Sequence, residues 1–125
     1  MILVAVILGI MAYPQPEPII EIYESTFYTA ECKGCSGITR TGYDVRNTIY
    51  TPDGLRVVAV DPNVIPLHSI VQVTLEDGTT FTAQALDTGG DIKQKRIDVL
   101  VETKKEAFRL GRQQVQVEII REGDG

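Results

Sequence analysis

Two aspartates set eleven positions apart, Asp87 and Asp98 in "ALDTGGDIKQKRIDVLV", stand in nearly apolar company on either side of a loop rich in glycine and lysine. A third, Asp61 in "VVAVDP", ends another apolar run. Carboxylates so placed have two uses. They can accept hydrogen bonds from backbone N–H groups at strand ends, or they can converge in one groove. In a groove, burial and mutual repulsion raise the proton affinity of one member. A carboxyl kept protonated towards neutral pH is a usable general acid. The remaining aspartates, Asp44, Asp53, Asp77, Asp91 and Asp124, occupy polar or turn contexts.

The elements that must position these residues are mostly strands. "IIEIYESTFYTA" (19–30), "LRVVAVD" (55–61), "SIVQVTL" (69–75), "TTFTAQALD" (79–87), "RIDVLV" (96–101) and "VQVEII" (115–120) are rich in β-branched residues and bounded by turn signals. Asp77-Gly78 between the third and fourth supplies the positive φ angles of a tight hairpin. One helix is well signalled, "TKKEAFRLG" (103–111), with a Thr103/Glu106 capping box and Gly111 at its C-terminus. Six short strands with one short helix favour a closed barrel, which leaves no exposed sheet edge. The final "REGDG" (121–125) reads as frayed, with the tail beyond the domain at 122–125.

At 125 residues the chain suits one domain with a real core. Twelve Lys and Arg against seventeen Asp and Glu give a net charge of −5, which argues against nucleic acid as a partner. The opening "MILVAVILGIMA" (1–12) lacks any charge and precedes a Pro-rich, acidic linker (13–22). A bilayer-spanning helix needs about 20 apolar residues, so twelve fit an export signal or a short anchor better; a buried first strand or truncated helix is the other reading. Cys32 and Cys35 in "ECKGCSG" are the only cysteines and His68 the only histidine, one ligand short of a structural zinc site. No metal and no cofactor are expected. In an exported chain Cys32–Cys35 is read as a disulfide; two free thiols on a loop are the alternative.

"LDTGG" also resembles the Asp-Thr-Gly triplet of aspartic proteases, but that likeness is local. A broader one covers about residues 26 to 120. "FYTAECKGCSGITRTGYD", "VVAVDPNVIPLHSIVQV" and "ALDTGGDIKQKRIDVLV", in that order, resemble the 3D domain, named for its three aspartates. It occurs in bacterial and phage cell-wall proteins, among them stationary-phase survival factors and the catalytic domain of MltA-type lytic transglycosylases. The resemblance implies a mainly β fold, a six-stranded double-psi β-barrel with one or two short helices, here over 23–121. It also implies that Asp61, Asp87 and Asp98 are the eponymous aspartates and that Asp98 matches the catalytic acid of MltA-type enzymes.

The substrate so implied is the glycan strand of peptidoglycan, cleaved between N-acetylmuramic acid and N-acetylglucosamine with a 1,6-anhydro product. A barrel that binds wall glycan without cleaving it is the rival reading. Tyr28 and Thr41 are groove residues by family position, although a strand tyrosine also serves as core or rim. Gly89 and Gly90 allow close approach of a sugar, and Lys93 could bind an acetamido or lactyl oxygen. Three positions depart from the family pattern: Asp91 where a small residue is usual in "TGGAIKG", Gln94 for the glycine after the lysine, and His68 for the glycine of "IPLGS". Location at the cell wall or outside the cell follows from the same reading, with residues 1–12 as a tether if they are retained.

Overall fold

The computed structural model describes residues 17–125, so the apolar run of residues 1–12 and the first part of the linker lie outside the described residues. The strands are β1 (Ile20–Tyr28), β2 (Arg56–Ala59), β3 (Ile70–Thr74), β4 (Thr80–Asp87), β5 (Arg96–Leu100) and β6 (Gln113–Arg121), with one helix, α1 (Lys104–Leu110). They close into a barrel in the order β1-β5-β2-β4-β3-β6. The β1/β5 and β2/β4 pairs are parallel and the others antiparallel. This is the double-psi β-barrel that the resemblance implied. β1 starts three residues earlier than the expected domain boundary, because Ile20 and Ile22 pair with Glu118 and Gln116 of β6.

Alternation along the strands builds two apolar layers. Val58, Val60, Val71, Val73, Ile97, Val99, Val115 and Val117 face the barrel interior and are at most 2% exposed. Full burial of such side chains is worth about 1.5–3 kcal/mol each, so the interior dominates stability. Val57, Leu86 and Leu100 form a second cluster with Val45, against which Tyr28, Tyr43 and Ile49 pack. On β5 and β2, Leu100 and Val57 alternate with the inward residues, which puts this cluster on the outer wall. Its cover is the long connection from residue 29 to 55, an irregular segment tied by the bridges Ile38↔Asp44 and Tyr50↔Arg56. Cys32 and Cys35 are joined as a disulfide at its start.

The local signals carry through. Thr103 Oγ1 accepts from the Glu106 N–H at 3.1 Å, and the Gly111 N–H donates to the Ala107 carbonyl at 3.0 Å. At the β3–β4 turn only Gly78 has a positive φ, 90°. Asp77 instead accepts the Thr79 N–H through Oδ1, and the Gly78 N–H donates to the Leu75 carbonyl. The turn is therefore a three-residue type with a single left-handed glycine, a correction to the expectation of two positive φ angles. The C-terminal residues are not frayed. The Gly123 N–H donates to Ser69 Oγ at 2.9 Å and the Gly125 N–H to the Leu67 carbonyl at 3.2 Å.

Two of the departures from the family pattern acquire a backbone meaning. His68 has φ 72° and Gln94 φ 60°, the only non-glycine residues with positive φ among those described. The left-handed region costs an L-residue about 1–2 kcal/mol, and glycine in its place costs about 0.5–1 kcal/mol of chain entropy. The hydrogen bonds of His68 run through its backbone, from its N–H to the Ala85 carbonyl and from Gln84 Nε2 to its own carbonyl. We therefore expect His68→Gly to stabilise the protein by up to about 1 kcal/mol, a rise of a few degrees in melting temperature. His68→Ala, which keeps Cβ, should give no rise; equal melting of the two variants would show that φ is not the constraint.

Candidate active site

β2 lies between β5 and β4, and the site is built on that arrangement. Ala59 pairs with Asp98 of β5 on one side and with Asp87 of β4 on the other. The second pairing depends on an irregularity. Val58 opposes Ala85 while Ala59 opposes Asp87, so Leu86 is skipped. A bulge of this kind re-aims side chains: Leu86 enters the outer cluster, and Asp87 comes level with Asp98 across the small Ala59. With strands about 4.8 Å apart, the two aspartate backbones lie about 10 Å from each other.

Asp98 lies on the face of β5 opposite Ile97 and Val99, that is, on the outer wall. The wall at this point is not open solvent, however, and Asp98 is half-buried. Thr26, paired with Asp98 across β1/β5, donates its hydroxyl to Asp98 Oδ1 at 3.0 Å. Among the described residues no protein donor engages Oδ2. Burial pushes the Asp98 carboxyl above the ordinary range; the Thr26 hydrogen bond and the Arg96 charge oppose this, and the Asp87 charge adds to it.

Asp87 has a different environment. Its Oδ2 accepts from the Tyr28 hydroxyl at 3.1 Å, and its Oδ1 accepts from the Arg40 and Thr88 backbone N–H groups, each at 2.9 Å. Three donors thus converge on its two oxygens. Burial, then the Asp87 charge and hydrogen bond, then Asp98, push the Tyr28 phenol above its ordinary value and keep it a donor. Tyr28 and Thr26 alternate on the same face of β1, one reaching Asp87 and the other Asp98.

Asp61, 4% exposed, serves the backbone. Oδ1 accepts from the Asn63 N–H at 3.0 Å and Oδ2 from the Gln94 N–H at 2.8 Å. These bonds, with a contribution from Lys93, hold its carboxyl below the usual range. Asp61 thereby ties down the loop joining β4 to β5.

The remaining sequence candidates sort similarly. The Thr41 hydroxyl donates to the Leu86 carbonyl at 2.9 Å, tying the connection to the bulge. Lys93 is exposed. A Cβ on Gly89 would lie 2.8 Å from Ile92 Cγ1, so that glycine makes room for the loop's own isoleucine, whereas Gly90 faces open space. Thr26 and Arg40 were missed by sequence reasoning. The two-residue spacing from Tyr28 could have identified Thr26; nothing local marks Arg40, which acts through its backbone. No cluster of His, Cys, Asp and Glu suited to a metal ion occurs among the described residues.

The two carboxyls make opposite stability predictions. A raised pKa in the folded state means that ionised Asp98 costs stability above that pKa, and that the cost vanishes as pH falls towards 3.8. Asp98→Asn, whose carboxamide oxygen still accepts from Thr26, should melt higher than wild type at neutral pH, with the gap closing in acid. Asp61→Asn leaves one N–H without an acceptor. It should melt lower at neutral pH, with a gap that closes only below pH 3.8, as wild-type Asp61 itself is protonated. Melting curves across pH 3–8 decide both, and gaps of the same sign would refute the assignment of distinct environments.

Residues 56–121 match the 3D domain. SPbeta prophage-derived uncharacterized protein YorM of Bacillus subtilis is 57% identical over 94 residues, 74% of this chain and 39% of that protein. Cell wall-binding protein YocH of the same organism is 43% identical over 96 residues, 77% of this chain and 31% of that protein. The chain thus spans less than two fifths of the length of these relatives. An expansin of Clavibacter michiganensis, solved in complex with cellohexaose, is similar with a TM-score of 0.55 at 17% identity, over 86% of this chain and 53% of that one. MltA from E. coli is similar with a TM-score of 0.50 at 20% identity, over 69% of this chain and 28% of that one. At these identities the structural likeness concerns the fold. The match over more than half of its length makes the chain a member of the 3D domain family.

Proposed function

We propose that the protein is a peptidoglycan-cleaving lytic transglycosylase with Asp98 as its acid and base. The observation that carries this reading is the half-buried Asp98 carboxyl, raised in proton affinity, held through one oxygen by Thr26 and bearing no protein donor on the other. Ordinary glycosidases use two carboxyl groups. An intramolecular route manages with one. Asp98 gives its proton to the glycosidic oxygen between N-acetylmuramic acid and N-acetylglucosamine as the C1–O bond breaks. Its carboxylate then takes the proton of the muramyl C6 hydroxyl while that oxygen attacks C1. The 1,6-anhydro ring closes, no water is consumed and Asp98 regains its proton. Asp87 and Tyr28 border the reacting carboxyl, and Asp61 fixes the loop that positions it.

Cell-wall location outside the membrane accords with this substrate, and residues 1–12 would act as export signal or tether. No helix among the described residues is long and apolar enough to cross a membrane. The second reading, a glycan-binding barrel without turnover, draws support from the name of YocH, a cell wall-binding protein. Digestion of purified peptidoglycan followed by mass spectrometry separates them. Anhydro-muropeptides are expected from wild type, and Asp98→Asn should lower their yield by at least about two decades without loss of fold. Near-full activity of that variant would remove Asp98 as the acid, and glycan binding without any product would establish the binder.

A further inference from the structure

Phe108 is 90% exposed on α1, a helix that buries none of its residues. A phenyl ring so placed contributes almost nothing to the core, while its apolar faces stand in water. It is not isolated. Phe108, Ala107 and Lys104 form one side of an open groove of about 380 Å³ whose other side is Phe27, Tyr28 and Cys32. A second groove, of about 220 Å³, runs along Tyr28, Cys35 and Asp87. Tyr28 is common to both, and its hydroxyl is the one bonded to Asp87. The disulfide stands between them, with Cys32 lining one and Cys35 the other.

We propose that Phe108 is a distal sugar subsite, on which a pyranose ring of the bound glycan strand stacks several units away from the bond at Asp98. The inference rests on the glycan-cleaving or glycan-binding reading above and extends its site from the aspartates past Tyr28 to α1. The chemistry fits a sugar better than a peptide or a lipid. The negative π face of an aromatic ring attracts the weakly positive C–H face of a pyranose. The groove is also open along its length, as a polymer requires. Continuity through Tyr28 selects this occupant, since a strand seated in the groove beside Asp87 reaches Phe108 by passing Tyr28, which lines both grooves. A multi-subsite groove also lets remote binding position the reacting bond.

The test uses the full chain and uncross-linked peptidoglycan strands of one, two and four disaccharides. Affinity is read by calorimetry on the Asp98→Asn background, and turnover on the otherwise wild-type chain. Phe108→Ala should weaken binding of the longest strand about three- to tenfold, leave the single disaccharide unchanged, and raise KM more than it lowers kcat. Phe108→Trp should retain the longer-strand affinity. Unaltered melting of Phe108→Ala is expected from the absence of burial and secures the comparison. If the parent protein binds long strands and Phe108→Ala binds them equally, this inference falls and the proposed function stands. If the parent protein neither binds nor cleaves any strand, both fall. If Phe108→Ala abolishes self-association in light scattering while glycan affinity is unchanged, the face belongs to a second copy and the inference is overturned.

Discussion

Everything at the site depends on how β2 is held between β4 and β5. The closed barrel leaves β2 no freedom to slide, because its ladders on both sides are engaged. A one-residue slip in a strand sends every side chain to the opposite face. Here such a slip would carry Val58 and Val60 out of the interior, against the largest energetic term in the fold. The apolar interior therefore sets the register, and the register sets which residues flank Ala59. The skipped Leu86 is the one local exception. It lets two successive residues of β4 serve the outer wall, one packing under the connection and the other accepting hydrogen bonds.

Three like residues in one small region end in three different chemical situations. Asp61 is saturated by backbone N–H groups from two loops, Asp87 by a phenol and two N–H groups, and Asp98 by a single hydroxyl. Protein donors number two on Asp61, three on Asp87 and one on Asp98; burial with a single donor raises the proton affinity of Asp98, and two backbone N–H groups lower that of Asp61. The division follows from topology: Asp61 and Asp87 sit at strand ends, where chain reversals bring free N–H groups, whereas Asp98 sits mid-strand, where N–H groups are already spent in the ladder.

How much of this was legible in the sequence varies with the range of the interaction involved. The α1 cap, the Asp77-Gly78 reversal and the six strands are local, and residues within a few positions of each other signal them. The family motifs indicated the barrel and the three aspartates. The connection over 29–55 was unreadable beyond its cysteines, since its order comes from Tyr43, Val45 and Ile49 meeting Val57, Leu86 and Leu100 across long sequence gaps. The docked tail was missed for the same reason. "REGDG" carries no structural signal of its own, and only the carbonyl and hydroxyl of Leu67 and Ser69 give its N–H groups somewhere to bond. His68 and Gln94 were visible as oddities, but their meaning lies in φ, which one sequence does not print.

The antiparallel pairing of β1 with β6 places the beginning and the end of the barrel side by side, with Ile20 opposite Glu118. A short turn could join these two strands without disturbing a single interior valine. The chain could then be opened at the exposed Glu76–Gly78 turn, after the bonds that tie Glu76 to Gln113 and Gln114 at the start of β6. The fold is in this sense a ring of strands, each hydrogen-bonded to two neighbours. Such a circular permutant would carry Asp87 and Asp98 near its new N-terminus and Asp61 near its new C-terminus, while the barrel still brought their strands together.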